Sequence, residues 1–537
     1  MKINFTFFLK TTNCLLITMI CGVALTARAQ GYKNPIIPGF YPDPSVCRVG
    51  DDYYLVNSSF EYFPGVPIWH SKDLVNWEQI GNVLNRASQL PLSGCKPSNG
   101  IYASTIRYHN GLFYMVTTLV SGTKEYGNFF VTAKNPAGPW SEPVFVNQSG
   151  IDPSLFWENG KMYFISNRGL KSNDARAIYE SEIDSITGKR LTEPKMIWKG
   201  SGGSYVEGPH MYKRNGYYYL LTAEGGTSYG HMVTIARSKN IWGPFESDPT
   251  NPILSNRYAY SIISGTGHAD MVEAADGSWW MVHLAFRPII DQIHTTGRET
   301  CLEPVEWNKE GWPVVNKTGT ADIIVDTKTL PLHPYPAAQV TDNFDTDQLD
   351  FSYIHLRNPD SANYSLKKRQ GYLSLIGSAF TLNDLQSPTF IGKRQRHFSF
   401  DAVTSVDFDP QSDNEEAGLT LEMTNDHHYD FYIKKLGNQR VLVVYYKLEL
   451  INGIKAEVPL LPGPVKLKIT GTKTVYSFSY AQGDAPYKEI AQLNTRYLGT
   501  EVTGGYNGVI IGMYATGNGK VSARPAYFDY FTYQPIQ

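Results

Sequence analysis

The sequence predicts an all-β protein, with a five-bladed β-propeller at residues 30–326 and a β-sandwich at 341–537. Three observations support this: a strand-and-turn unit that occurs five times, a proline-containing segment after the fifth unit, and alternating apolar and polar residues beyond it. The composition agrees, because 36 tyrosines, 47 glycines and 32 prolines in 537 residues favour strands and turns over helices.

Residues 1–29 have the pattern of a secretory signal peptide. Lys2 and Lys10 precede an apolar stretch at 14–25, and Ala27-Arg28-Ala29 fits a cleavage site before Gln30. A membrane anchor is the alternative, but the stretch is short and no other run of 18 apolar residues occurs. A lipid anchor on Cys21 is disfavoured by the bulky Ile20 before it. We therefore expect an exported protein, periplasmic or secreted, with no transmembrane segment in the mature chain.

Charge and cysteine content exclude several classes of function. The 48 basic and 50 acidic residues nearly cancel, so no basic excess is available to bind nucleic acid. Without the leader, the cysteines are Cys47, Cys95 and Cys301, which allow one bridge at most and form no disulfide framework. Neither CxxC nor HExxH occurs, which disfavours a zinc enzyme.

The five repeated units each contain a Gly- or Asp-containing turn followed by an aromatic-rich strand. A second recurring piece, as in Ser71–Trp77 and Ala133–Trp140, adds an outer pair of strands to the unit. Four strands at a period of 49 to 61 residues are typical of a propeller blade. A sandwich with coincidental turns is the alternative, and the recurrence of both pieces argues against it. The five turn-and-strand units end at Tyr54, Tyr114, Tyr163, Tyr219 and Trp280.

The blade pattern ends before a predicted linker at 327–340, which contains Pro331, Pro334 and Pro336. Beyond it, residues 397–408 alternate between apolar and polar side chains, as expected of half-buried antiparallel strands. The sequence therefore predicts a β-sandwich for 341–537.

The repeat also predicts where chemistry takes place. The first strand of each blade lines the central channel, so equivalent positions at its entrance converge. Counting back 11 or 12 residues from each unit's last aromatic gives Asp43, Ala103, Asp152, Glu207 and His268. Three carboxylates that are remote in sequence are thereby predicted at one mouth of the channel.

Clustered carboxylates raise one another's pKa, so one can stay protonated as an acid while another is an ionised base. This is the chemistry that cleaves a glycosidic bond. Two alternatives stay open: each Asp-Pro taken singly is an ordinary turn, and clustered carboxylates also bind calcium. We expect no required cofactor, with calcium in the channel as an accessory feature to be tested.

The chain resembles glycoside hydrolase family 43 over its mature length. Its sandwich resembles the concanavalin-like domain behind the propeller in the family's β-xylosidases and α-L-arabinofuranosidases. The motifs that carry the resemblance are Gly39–Ser45, Ser59–Val66, Val206–His210, Gly297–Thr300, Glu303–Trp307 and Asp342–Asp345.

The resemblance implies roles for the three carboxylates. Asp43 matches the general base that activates water, and Glu207 matches the general acid. Asp152 matches the carboxylate that orients the acid and raises its pKa. The implied mechanism is single displacement with inversion, for which the carboxyls of Asp43 and Glu207 should lie roughly 6.5–9.5 Å apart.

The resemblance also implies a sugar pocket that includes Arg298, His268 and Phe60. At Tyr102, many β-xylosidase relatives carry Trp, and Ser104 stands where they often have Pro. Because two-domain members have a pocket closed at one end, we expect exo-action that releases a terminal sugar from plant cell-wall polysaccharide or oligosaccharide. The departure at Tyr102 favours an α-L-arabinofuranosyl unit, with β-D-xylosidase or dual activity as the alternative.

Three rival classes remain for comparison. A structural surface protein of the cell envelope would have no reason to align acidic residues on a channel. A non-catalytic sugar-binding propeller would need aromatic platforms but no aligned carboxylates. A retaining fructan hydrolase has a similar architecture, but its Trp-Met-Asn-Asp-Pro-Asn start and Arg-Asp-Pro motif are absent.

Overall fold

The computed structural model describes residues 1, 31–120, 127–168, 176–257, 261–326, 330–336 and 339–536. The predicted signal peptide, apart from Met1, lies outside the described residues. The described chain is almost entirely β-structure, and the predicted fold class is confirmed.

Five antiparallel sheets follow one another along residues 45–315, and four of them have four strands in chain order. The second sheet has five strands, because β7 and β8 both pair with β9. The innermost strands of the five sheets (β2, β8, β12, β16 and β20, bounded below) contact one another in a closed ring. These are the five blades and the central channel that the repeat predicts.

The strands of this region are β1 (Gly31–Lys33), β2 (Ser45–Val49), β3 (Asp52–Val56), β4 (Tyr62–Phe63), β5 (Gly65–Ser71), β6 (Glu78–Leu84), β7 (Gly100–Ile101), β8 (Thr105–His109), β9 (Leu112–Val120), β10 (Gly127–Ala133), β11 (Val144–Val146), β12 (Ser154–Glu158), β13 (Lys161–Ser166), β14 (Ile178–Ile183), β15 (Lys195–Trp198), β16 (Glu207–Arg214), β17 (Tyr217–Glu224), β18 (Met232–Ser238), β19 (Glu246–Ser247), β20 (Ser264–Glu273), β21 (Trp279–Phe286), β22 (Glu299–Trp307), β23 (Pro313–Val315) and β24 (Ile324–Asp326). A short 3₁₀ helix spans Ile290–Gln292.

Local turn chemistry builds the inner hairpins. Asn110 and Gly111 have φ of 47° and 82°, and the two later Asn-Gly pairs, at 159–160 and 215–216, adopt the same left-handed conformation. Positive φ at both central residues defines the type I′ turn, whose twist matches that of paired strands. The Asn-Gly dipeptides therefore fix the positions at which the inner hairpins of these blades turn.

The N-terminal strand closes the ring. Strand β1 pairs antiparallel with β24, so that Tyr32 lies opposite Val325. The buried side chain of Asn34 adds hydrogen bonds to the carbonyls of Leu302 and Asp322, at 3.1 and 3.0 Å. The two ends of the propeller segment are thereby joined.

A buried ion pair occupies the channel. Arg107, on the innermost strand of the second blade, donates to Asp270 of the fifth blade at 2.7 Å. The same guanidinium contacts Ser45 of the first blade and His210 of the fourth, at 3.2 and 2.8 Å. Because it reaches three other inner strands, its cation lies on the axis. It neutralises the carboxylate there, so these residues do not fit a calcium ion. Among the described residues, no group of three or more His, Cys, Asp or Glu side chains is arranged to hold a metal.

The C-terminal region is a sandwich of two antiparallel sheets around one apolar core. The first has the order β27-β28-β39-β30-β35-β36-β37 with β25 beside β39, and the second has the order β29-β38-β31-β32-β33-β34. The predicted alternation is observed, because Phe400, Ala402, Val406 and Phe408 lie in the core.

The strands of this region are β25 (Thr341–Asp342), β26 (His355–Leu356), β27 (Tyr364–Ser365), β28 (Leu373–Leu375), β29 (Thr389–Arg394), β30 (Phe400–Asp407), β31 (Glu416–Thr424), β32 (His427–Leu436), β33 (Gln439–Leu448), β34 (Ile451–Pro459), β35 (Val465–Gly471), β36 (Val475–Ala481), β37 (Lys488–Asn494), β38 (Ile510–Thr516) and β39 (Ala526–Pro535). Two 3₁₀ helices span Ser361–Asn363 and Thr495–Leu498, and the short helix α1 spans Thr500–Thr503. No helix among the described residues is long and apolar enough to cross a membrane.

The sandwich packs directly on the propeller. Strand β26 pairs with β4, so His355 lies opposite Phe63 and Leu356 opposite Tyr62. The side chain of Asn507 donates to Glu61 at 2.7 Å. In the predicted linker, the described residues 330–336 form no strand, and the backbone N–H of His333 donates to Asp73 of the first blade at 2.6 Å.

Candidate active site

The aligned positions share an unusual backbone. Asp43, Asp152 and His268 have φ of 52°, 55° and 42°, in the left-handed region that non-glycine residues seldom occupy. Asp43 and Asp152 stand two residues before their innermost strands, and Glu207 begins β16. Strained backbone concentrates at functional sites, and here the same strain recurs in three blades.

All seven residues predicted for the site line one pocket at the channel mouth, which we call the channel-mouth pocket. Ala103, the fifth aligned position, lies there as well. The full lining is Asp43, Phe60, Tyr102, Ala103, Ile151, Asp152, Glu207, Thr227, His231, His268, Arg298 and Tyr506.

Asp43 is held as an anion. Its two carboxylate oxygens accept hydrogen bonds from Arg298, at 2.9 Å, and from Ser58. Burial alone would raise the pKa of Asp43. Several effects outweigh burial, of which the positive charge of Arg298 is the largest, so the pKa is lowered. The carboxylate is therefore ionised at neutral pH and able to accept a proton.

Asp152 and Glu207 behave in the opposite way. Burial, followed by repulsion from Asp43, raises the pKa of Glu207 to about 7. Burial and the charges of Glu207 and Asp43 raise the pKa of Asp152 well above its usual range, although a backbone hydrogen bond from Gly208 opposes this. Two adjacent buried carboxyls cannot both ionise easily, so the pair keeps a proton near neutral pH.

Arg298 links the carboxylates to an aromatic wall. Its guanidinium lies 5.5 Å from the ring centre of Phe60 and 5.2 Å from that of Tyr506. The same Nη1 that donates to Asp43 lies 3.0 Å from the hydroxyl of Thr227. Its Nε is buried without a hydrogen-bond partner among the described residues. Such a donor can bind a hydroxyl of a bound sugar.

Tyr506, from the sandwich, completes this wall. Its ring lies 5.8 Å from that of Phe60 and 6.2 Å from that of Tyr102. Its backbone N–H donates to Ser98 at 2.8 Å, and the backbone N–H of Ser98 donates to Glu61 at 3.0 Å. The second domain therefore builds part of the pocket.

The ring of His268 limits the residue that can follow Glu207 in the neighbouring blade. A Cβ on Gly208 would lie 3.1 Å from the His268 ring, and Gly208 itself has φ of 57°. Position 208 therefore favours glycine for two reasons: its backbone is left-handed, and the His268 ring leaves little room for a side chain. Burial lowers the pKa of His268, which makes the ring a neutral partner for substrate.

Sequence reasoning missed Thr227, His231 and Tyr506. His231 is buried, and neither of its ring nitrogens has a partner among the described residues. Burial lowers its pKa to about 3, so the ring is neutral. Thr227 and His231 lie between β17 and β18, outside the aligned positions. Tyr506 follows Gly504-Gly505, a turn signal that could have drawn attention to it.

A wider groove of about 630 Å³ continues from the channel-mouth pocket. The two share Ile151, Glu207 and Tyr506 in their linings. Beside Glu207, the exposed ring of Tyr205 is stacked under Arg176 at 4.4 Å. Glu207 therefore lies between a small pocket and a larger open groove.

Family models match most of the chain. The model of glycosyl hydrolases family 43 matches residues 32–313, and that of the beta xylosidase C-terminal concanavalin A-like domain matches 341–534. The described sheets fall within these two ranges almost completely.

Similar proteins span both domains. The non-reducing end alpha-L-arabinofuranosidase BoGH43B of Bacteroides ovatus is 44% identical, covering 97% of this chain and 99% of its own. A xylosidase/arabinosidase of Butyrivibrio fibrisolvens is 40% identical over 94% of this chain and 99% of its own.

Solved structures have the same architecture. The xyloglucan PUL protein GH43B of Bacteroides ovatus superposes with a TM-score of 0.91 at 43% identity, over 94% of this chain and 100% of its own. A xylan beta-1,4-xylosidase of Bacillus halodurans gives 0.90 at 33% identity, over the same shares. With its propeller, sandwich and carboxylate-lined pocket, the chain belongs to glycoside hydrolase family 43 and is a glycosidase.

Proposed function

We propose that the chain removes terminal, non-reducing α-L-arabinofuranosyl units from plant cell-wall polysaccharide or its fragments, with inversion at the anomeric carbon. The observation that carries this is that three carboxyls line one pocket, where Asp43 is paired with Arg298 at 2.9 Å and Asp152 and Glu207 are not. The pKa of Asp43 is accordingly lowered, while those of Asp152 and Glu207 are raised, so that the pair keeps a proton. General base and general acid are thereby both ready at the same pH.

In this mechanism, Asp43 takes a proton from a water molecule as the water oxygen bonds to the anomeric carbon. Glu207 gives its proton to the glycosidic oxygen as the bond from that oxygen to the anomeric carbon breaks. The products are the free sugar and the shortened aglycone alcohol, with Asp43 protonated and Glu207 ionised. Asp152 is a positioning residue, whose buried carboxyl beside the acid helps to keep a proton on the pair near neutral pH.

The location of Glu207 supports exo-action. In this proposal the sugar to be released occupies the channel-mouth pocket, where Arg298 and the Tyr506 wall lie. The rest of the substrate then extends into the adjoining groove, whose lining also includes Glu207. The acid is therefore placed at the boundary that the glycosidic oxygen would occupy.

The names of the relatives support arabinofuranose as the sugar. The relative at 44% identity is named a non-reducing end alpha-L-arabinofuranosidase, and the structure at 43% identity is a xyloglucan PUL protein. β-D-Xylosidase or dual activity is the second candidate, because the relative at 40% identity is named a xylosidase/arabinosidase. In either case, no cofactor takes part in the proposed steps.

The deciding experiment compares aryl α-L-arabinofuranoside with aryl β-D-xyloside. We expect a higher kcat/KM for the arabinofuranoside, and proton NMR should show the β-anomer of arabinose first. A β-xyloside preferred by tenfold would establish the second candidate instead. Initial release of the α-anomer from the arabinofuranoside would refute inversion.

Substitutions test the two catalytic roles. Asp43→Asn should lower kcat by about 10²–10⁴-fold with every leaving group, since general-base catalysis is of that size. Glu207→Gln should be equally harmful with a poor leaving group, but should recover with 2,4-dinitrophenolate, which needs no proton. Glu158→Gln, at the far end of β12 from the pocket, is the matched control. Binding of sugars without turnover by the unaltered chain would favour a carbohydrate-binding propeller.

Export is also part of the proposal. It is supported by the lysines, the apolar stretch and the Ala27-Arg28-Ala29 motif of the N-terminal segment. N-terminal sequencing of the protein recovered from a bacterial host should give Gln30 as the first residue, in the periplasmic or extracellular fraction. An uncleaved N-terminus in the cytoplasm would contradict export.

A further inference from the structure

The sandwich has a polar pocket of its own, with none of the aligned carboxylates in its lining, which we call the sandwich pocket. It has a volume of about 220 Å³ and lies on the outer face of the six-stranded sheet, below the loop at 381–383. On β32 the alternation is strict: Tyr429, Phe431 and Ile433 enter the core, while His428, Asp430 and Tyr432 line the pocket. The pocket therefore belongs to the sheet itself rather than to a loop.

Neighbouring strands supply the rest of its lining. Asp430 lies opposite Thr420 on one side and Tyr445 on the other. Tyr514 and Tyr432 both lie opposite Gly418, from the two sides of β31. Because Gly418 has no side chain, the two tyrosine rings approach to 6.3 Å above it. The floor thus carries aromatic rings next to a carboxylate.

The polar groups are fixed before any ligand binds. The carboxylate of Asp430, only 5% exposed, accepts hydrogen bonds from Thr420 at 2.7 Å and from His428 at 2.9 Å. The other ring nitrogen of His428 lies 3.2 Å from the side-chain oxygen of Asn383 in the covering loop. Such an arrangement orients Asp430 and leaves it acceptor capacity.

One buried group has no partner. Tyr514 is 3% exposed, and its hydroxyl makes no hydrogen bond to any described residue. Leaving a buried hydroxyl unpaired is unfavourable, because the group loses its hydrogen bonds to water and gains none. The side chain lines the sandwich pocket, so a molecule bound there could supply the missing partner.

The chemistry of the lining selects the class of ligand. Two carboxylates, Asp430 and Glu416, face the pocket, and Lys434 lies 3.3 Å from Glu416. This balance disfavours an anion, and among the described residues no set of acidic and histidine side chains suits a metal ion. Aromatic rings beside hydrogen-bond acceptors suit a neutral sugar, whose C–H faces pack on rings while its hydroxyls donate to carboxylates.

We propose that the sandwich pocket is a second, non-catalytic carbohydrate site that binds one glycosyl unit of the polysaccharide. Its size is below the roughly 300–1,000 Å³ of pockets for drug-sized ligands, which fits a single sugar ring at the end or side of a chain. This goes beyond the proposed hydrolysis and does not depend on which sugar is released.

The pocket is separate from the channel mouth. Glu416 at one end of β31 lines the sandwich pocket, and Glu422 near the other end accepts a hydrogen bond from Tyr62 of the propeller. The two residues are six positions apart, which is about 20 Å along the strand. A bound polymer would thus be held by two separate contacts, which raises its effective concentration at the catalytic pocket.

The test measures polysaccharide binding on the full chain carrying Glu207→Gln, so that the ligand is not consumed. Affinity electrophoresis in gels containing xyloglucan or arabinoxylan should show retardation, which Tyr445→Ala weakens at least fivefold. Tyr514→Phe should weaken it severalfold as well, because only a hydroxyl that contacts ligand contributes to binding. Tyr487→Ala, an exposed tyrosine of the sandwich outside the pocket, is the control. Circular dichroism melting confirms that each variant is folded.

Crystals of the same Glu207→Gln chain, soaked in arabinose, xylose or galactose, should show a sugar within hydrogen-bond distance of Tyr514 and Asp430. Only water in the sandwich pocket, or equal retardation of Tyr514→Phe, Tyr445→Ala and their parent, would overturn the proposal. Tyr445→Ala in the active chain should keep its kcat/KM on aryl glycosides. Failure of hydrolysis in the unaltered chain would refute the proposed function and leave this binding result unaffected.

Discussion

The alkaline side of the pH–rate profile is the most direct test of the site's electrostatics. Burial and Asp43 raise the pKa of Glu207 to about 7, so the acid loses its proton as pH rises through neutrality. About 99% of the molecules keep this proton at pH 5 and about 10% at pH 8, so kcat/KM should fall about tenfold between those values. Asp43, with its lowered pKa, should remain ionised throughout this range.

Asp152→Asn should leave this alkaline limb of the profile nearly in place. The pKa of Asp152 is raised well above its usual range, so this residue still carries its proton when Glu207 ionises, and its replacement by neutral Asn removes no charge at that step. We expect the limb to move by less than about half a pH unit, equivalent to about 0.7 kcal/mol.

The assay is kcat/KM from pH 4 to 10, with 4-nitrophenyl and 2,4-dinitrophenyl arabinofuranosides. Glu207→Gln should have no alkaline limb with the dinitrophenyl substrate, since no acid remains to ionise. A flat wild-type profile from pH 5 to 9, or an unchanged limb in Glu207→Gln, would refute the assignment of the acid. A limb that moves to lower pH by about one unit or more in Asp152→Asn would show instead that Asp152 is ionised beside the acid.

Three further predictions concern the support of the site. Tyr506→Ala should lower kcat/KM about tenfold with little change in melting temperature, and Tyr506→Phe should restore it; equal activity of both would contradict the aromatic wall. Arg107→Met should lower the free energy of unfolding by about 3–5 kcal/mol in urea titrations, because it leaves Asp270 buried without its cation. Since this cation already neutralises Asp270, EDTA should leave the activity of the wild type unchanged. Burial raises the pKa of Glu422 to about 8, so its folded form binds a proton that the unfolded form releases near pH 4.5; stability should decline from pH 5 to 8, and less steeply in Glu422→Gln. Parallel declines in wild type and variant would show that Glu422 does not titrate in this window.

The blades and their phase could be predicted because their signals are local. Asn110-Gly111 requires a left-handed turn wherever it occurs, and the apolar–polar alternation of 400–408 requires one buried face. Repetition then placed Asp43, Asp152 and Glu207 at equivalent positions without any knowledge of contacts.

The remaining parts depend on contacts between distant segments. Tyr506 reaches the pocket because Ser98 and Asn507 bind Glu61, and nothing in the order of residues specifies that packing. In the sequence, Arg107 looks like an ordinary charged residue of a strand, because its partner Asp270 is 163 positions away. Such pairings arise from how the two domains and five blades close on one another, and a single sequence carries no periodic signal for them.

The pairing of β1 with β24 sets the order in which the propeller can be completed. Val325 is made 293 positions after its partner Tyr32. At about 5–20 residues per second, the ribosome needs roughly 15–60 s to cover that interval. During that time β1 has no partner strand, and the ring of the propeller stays open. A circular permutant that starts between two blades would make β24 before β1, with only the sandwich between them in the chain, and so would shorten the time for which one of these strands lacks its partner.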